Sequence, residues 1–142
     1  MSKSLNYLGI ARMSGNIELG EENAKALVKA GKARMLLLAS DVSEGVKKRA
    51  RGYVYGFHAP LVTLPFTKAE LGGAVGRAQC AVAAVRDLGL ARSLADALAE
   101  EYGEAYAPVA KELAEKQARI AARKASRGKT AKGKTGMRRK SE

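Results

Sequence analysis

Two stretches of this chain are apolar without a polar break: Met35-Leu36-Leu37-Leu38-Ala39 and Cys80-Ala81-Val82-Ala83-Ala84-Val85. Each is too short for a buried helix and has no alternation of polar and apolar residues. Such runs suit central strands covered on both faces, which demands a sheet lying between two layers of helix. Leu61-Val62-Thr63-Leu64 after Pro60, and Ile17-Glu18-Leu19 after the turn Ser14-Gly15-Asn16, read as two further strands.

Helical patterns fill the intervals. Ser4 to Met13 reads as a short helix with apolar positions at Leu5 and Leu8. After Gly20, the residues Ala24, Leu27 and Val28 fall on one helical face, and Gly31 is a stop signal. Asp41 or Ser43 caps a helix whose Lys47, Lys48, Arg49 and Arg51 make one side basic. Thr67 with Glu70 three residues on forms a capping box for the helix that contains Leu71-Gly72-Gly73-Ala74-Val75-Gly76. Ala91 to Glu101 is helical with Leu94 and Leu98 inward. The fold class expected is α/β: a three-layer α/β/α sandwich around a small mixed four-stranded sheet. The first strand is short and follows a helix, which favours a mixed sheet over a parallel one.

Pro108 fits the start of a further helix with a thin stripe of Val109, Leu113 and Ile120. From Ser126 the chain is Gly, Lys, Thr and Arg with almost nothing to bury, and it is expected to be disordered. The organisation expected is therefore a domain over 1–103, a helical basic extension over 104–125 and a disordered basic tail over 126–142.

The formal net charge is +12, and it is unevenly placed. Of 26 Lys and Arg residues, 12 lie from Pro108 onward, where only three of the 14 acids are found. A basic segment of this kind attracts polyphosphate backbones through counterion release. Chemistry at a catalytic centre has little to draw on. His58 is the one histidine, Cys80 the one cysteine, and no His/Cys/carboxylate group has metal spacing. The glycines after Leu71 precede a strand, whereas phosphate-binding loops follow one. They are read instead as allowing a neighbouring element or a ligand backbone to approach the helix closely. No catalytic residue, metal site or cofactor is expected. A lone cysteine and the lack of a signal pattern or a membrane span point to a cytoplasmic protein without membrane contact.

Several spaced motifs resemble one family. Ala33 to Ser43 is similar to the second strand of the kink-turn RNA-binding ribosomal protein superfamily, the L-seven-Ae and L-thirty-e type. Glu70 to Gly76 matches its signature E-L-G-x-A-x-G. Gly20 stands eleven residues before Gly31 as in the family, and Pro60 precedes the third strand. Leu8 to Arg12 and Ala84 to Ala91 resemble the bacterial YlxQ-like members in particular. The resemblance covers roughly 5–100 and implies binding to a sharply bent RNA with tandem sheared G·A pairs. It implies two contact surfaces. One is the helix start at Gly20, Glu21, Glu22 and Asn23, and the other is the loop at Arg77, Ala78 and Gln79. Lys25, Lys29 and Lys32 lie along the first helix and complete the RNA-binding set. The family's motif G-T-N-E-x-x-K is altered here: Glu22 and Asn23 exchange amide and carboxylate, and Ala26 stands at the lysine.

The expected function is thus non-enzymatic binding of a kink-turn or similar structured RNA, such as ribosomal RNA, with possible ribosome association and a monomeric free state. The alternative is a protein-interaction scaffold of the same fold with a decayed RNA surface. Acids in the first turn also have a purely structural explanation, because they complement the helix dipole by about 0.3–1 kcal/mol.

Overall fold

The computed structural model describes residues 2–135. Its centre is the antiparallel pair β2 (Met35–Leu38) and β4 (Val82–Val85), in register Leu36 to Ala84 and Leu37 to Ala83. Every residue of both strands is buried. β1 (Ile17–Leu19) adds to β4 in antiparallel sense and β3 (Leu61–Thr63) to β2 in parallel sense. The sheet is therefore mixed, in the order β1-β4-β2-β3. Small Ala83 and Ala84 oppose large Leu37 and Leu36, so the two strands together present an even surface to the helices on each face.

α2 (Glu21–Lys29) and α3 (Glu44–Val54) pack together, while α1 (Lys3–Met13) packs on α4 (Lys68–Val75) and α5 (Leu88–Tyr102). These are the outer layers of the expected sandwich. Local chemistry sets the helix starts. Ser43 accepts from Val46 N–H at 3.2 Å. Thr67 and Glu70 form the reciprocal capping box. Asp41 is left free by Ser43 and accepts from Lys68 N–H at 2.8 Å, tying the end of β2 to the start of α4. α5 begins earlier than its apolar spacing suggests, because the Asp87 carboxylate caps it through Leu90 N–H.

The extension is part of the packed structure. A 3-10 turn (Glu104–Tyr106) leads into α6 (Ala107–Thr135), which lies along α5. Leu113 is fully buried in the common core, and Gln117 accepts from Arg92 at 2.9 Å. Tyr106 donates its hydroxyl to Thr63 O at 2.8 Å, covering the outer edge of β3. α6 continues to Thr135, within the segment 126–142 that the sequence reads as a tail. The rest of that expected tail, 136–142, lies outside the described residues. No helix among the described residues is long and apolar enough to cross a membrane.

Leu113→Ala removes a side chain with no exposed surface. The expected loss is about 2–4 kcal/mol in chemical denaturation, with the single transition of a domain that includes α6.

Candidate nucleic-acid interface

Strand directions bring one set of chain segments to one end of the sheet. β1, β2 and β3 finish there and β4 begins there, so the N-termini of α2, α3 and α4 share that end with the loop 76–81. Gly20 N–H donates to Val82 O at 2.9 Å, which seats the start of α2 directly beside that loop. The two surfaces implied by the family resemblance therefore adjoin.

The loop is held by a close approach. Arg77 N–H donates back to Gly72 O at 2.7 Å and Cys80 N–H to Lys68 O at 2.9 Å. A Cβ on Gly72 would stand 2.7 Å from Arg77 O and 2.8 Å from Gln79 Cα, both backbone atoms. Gly72 therefore accommodates a neighbouring element of the chain itself. Gly73 has nothing within 4 Å of such a Cβ. Arg77, Ala78 and Gln79 are all exposed on this tightened loop. Cys80 behind them is buried, its thiol pushed up by desolvation and donating to Val82 O at 3.4 Å, as befits an inert core cysteine.

The three polar residues at the start of α2 divide their work. The Glu21 carboxylate accepts from Arg49 Nε at 2.6 Å, from Arg49 Nη2 at 3.2 Å and from the Tyr53 hydroxyl. It clamps α2 to α3. The hydrogen bond from Arg49, and then that from Tyr53, hold its pKa below the ordinary carboxylate range. The Asn23 amide donates to Leu19 O at 2.9 Å, fastening the helix to the end of β1. Glu22 is exposed, and among the described residues no hydrogen bond or ion pair engages it. Gly20, at φ +93°, turns the chain into α2 without offering a capping side chain. α1, α3, α4 and α5 each carry such a cap, from Ser2, Ser43, Thr67 and Asp87. The first-turn N–H groups of α2 are thus open to an acceptor from outside.

Lys25 lies over Tyr53 of α3 and Lys29 over Phe57 just beyond that helix, each Nζ 5.4 Å from the ring centroid. Ala26 is exposed between them. Lys32 lies beyond the end of α2, towards the opposite end of the sheet. Only Lys25 is therefore within a turn or so of the helix start. Sequence reading did not anticipate Arg49 and Tyr53 as partners of Glu21; their four-residue spacing on a basic helix was the available signal. His58 sits exposed between α3 and β3, and no metal-holding group of His, Cys, Asp or Glu occurs among the described residues.

A four-stranded mixed sheet between helix layers, with a glycine-tightened loop beside an open helix start, is the architecture that the L-seven-Ae resemblance implies. The chain is 31% identical to the RNA-binding protein YlxQ of Enterococcus faecium over 75 residues, which is 53% of this chain and 72% of that one. It belongs to the YlxQ family. A solved protein of unknown function from Bacillus halodurans superposes with a TM-score of 0.65 at 28% identity, over 69% of this chain and 98% of the other. A 15.5 kD RNA-binding protein of Giardia lamblia shares the fold, with a TM-score of 0.56 at 21% identity over 68% of this chain and 82% of its own. No family model matches the chain.

The neighbouring glycines make opposite predictions. Gly72→Ala forces the loop backbone away and is expected to cost about 1–3 kcal/mol. Gly73→Ala, in open space on the same helix, is expected to stabilise by about 0.5–1 kcal/mol. Urea denaturation of both variants reads the difference in sign.

The Glu21 clamp gives a pH dependence. Because its folded pKa is lowered, its contribution is present above the ordinary carboxylate pKa and is lost as pH falls through the lower folded value. Glu21→Gln is expected to be less stable than the parent near neutral pH in urea denaturation, and the gap to narrow as acid protonates the parent's carboxyl.

Proposed function

We propose that this protein is a non-catalytic RNA-binding protein that reads a bent, G·A-containing element of structured RNA, of the kind found in ribosomal RNA, in the cytoplasm. The observation that carries the reading is the open N-terminus of α2, with the unengaged Glu22 carboxylate, seated against the loop 77–79. The YlxQ relative, named as RNA-binding, supports it.

The division of labour is physical. Exposed N–H groups and the positive end of the α2 dipole attract a phosphate. Lys25 and Arg77 add charge around that point. A carboxylate is repelled by phosphate but accepts hydrogen bonds from guanine N1–H and N2–H₂, so Glu22 discriminates where the cations only attract. Asn23 keeps its carbonyl oxygen for a base edge while its amide nitrogen is bound to Leu19 O. Ala78 is small enough for an unstacked base to lie against the loop. Bent or bulged RNA presents such bases, and a regular duplex does not.

Glu22→Gln keeps the shape and removes the charged acceptor without touching the α2–α3 clamp. Affinity for a bent RNA with tandem sheared G·A pairs is expected to fall roughly tenfold, while affinity for a plain duplex of equal length stays unchanged. Fluorescence anisotropy at fixed salt measures both. Equal loss on the two RNAs removes the reading role and favours a scaffold for protein partners.

A further inference from the structure

A second basic feature lies at the opposite end of the sheet. There α6 passes the connection 56–60 and leaves an open cleft of about 720 Å³. That volume lies within the range of about 300–1,000 Å³ usual for ligand sites. Phe57, Pro60 and Ile120 give its lining apolar surface. Arg34, just before β2, and Lys116, Arg119 and Arg123 from successive turns of α6 line it as well. Glu112 is the one acid among the lining residues.

The charges here are crowded. Lys116 donates to His58 O at 3.3 Å and pins α6 across the cleft. Burial lowers its pKa, and Arg34 beside it lowers it further, ahead of the partial relief from Glu112. Cations gathered at this cost are relieved by an anion between them. Phe57 is half-buried, with Lys29 across its ring. A lining that combines apolar and cationic residues matches a group that is apolar in one part and anionic in another. An unpaired nucleotide is such a group, since its base face and its phosphate are both accessible, whereas a base within a duplex hides its face.

We infer that the cleft between α6 and the 56–60 connection binds a single-stranded RNA segment, one base against Phe57, Pro60 and Ile120 and the flanking phosphates on Arg34, Arg119 and Arg123. This rests on the reading that the protein binds RNA and adds a second contact at the far end of the sheet. A structured RNA gripped at α2 would then be held also through a single-stranded flank.

The test uses the full chain and an oligouridylate of about ten nucleotides, compared with an abasic strand of equal length. The double variant Arg119→Glu/Arg123→Glu changes the cleft. Lys111→Glu/Lys124→Glu changes net charge equally on the same helix, at exposed residues outside the cleft lining. The cleft variant is expected to weaken oligouridylate binding at least about tenfold more than the control at the same salt. Ile120→Ala is expected to reduce the preference for oligouridylate over the abasic strand. Equal losses in the two charge variants overturn the inference, as diffuse attraction then accounts for binding. Displacement of oligouridylate by uridine monophosphate or by polyglutamate at equal charge concentration also overturns it, in favour of a mononucleotide or an acidic-peptide site. If bent G·A RNA without a flank is not bound while oligouridylate binding still depends on Arg119 and Arg123, the proposed reading at α2 fails and the cleft stands. If the bent RNA binds through Glu22 and the cleft variant matches its control, the cleft fails and that reading stands.

Discussion

The antiparallel pairing of β2 with β4 governs the rest of the molecule. Its eight residues are all buried and apolar, so their backbone groups depend on the ladder that joins the strands. Because β4 runs against both β1 and β2, the ends of β1, β2 and β3 collect where β4 begins. The adjacency of the α2 start and the 76–81 loop follows from that arrangement. Side chains refine this placement: Gly72 by yielding space, Asn23 and Asp41 by fastening helix starts to strand ends.

Much of this was legible in the chain itself. Strands buried on both faces leave uninterrupted apolar runs, and a capping box leaves a fixed spacing, so β2, β4 and α4 announce themselves locally. The start of β4 was less visible. Cys80 and Ala81 continue its apolar run, yet Cys80 N–H is bonded to Lys68 O in α4 and is lost to the ladder. The docking of α6 was open in sequence because alanine surfaces suit a buried and an exposed helix equally. Only the tertiary position of Leu113 decides it.

The candidate site shows the same limit. Proximity in sequence makes Glu21, Glu22 and Asn23 look like one functional group, while the fold commits Glu21 to α3 and Asn23 to the end of β1 and, among the described residues, leaves Glu22 unengaged. Glu21 is committed to residues 28 and 32 positions away, which no local pattern encodes. The cleft at the other end joins residues from Val28 to Arg123 and exists only through the crossing of α6.

Tyr106 and Thr63 tie these themes together. A parallel edge strand with free carbonyls invites pairing with another chain, and here the segment that closes that edge leads into the one that supplies most of the net positive charge. Edge protection and most of the net charge are therefore carried by one continuous stretch of chain. Shortening the extension from its beginning would remove Tyr106 and uncover the edge of β3, whereas shortening it from its far end would remove charge and leave that edge closed.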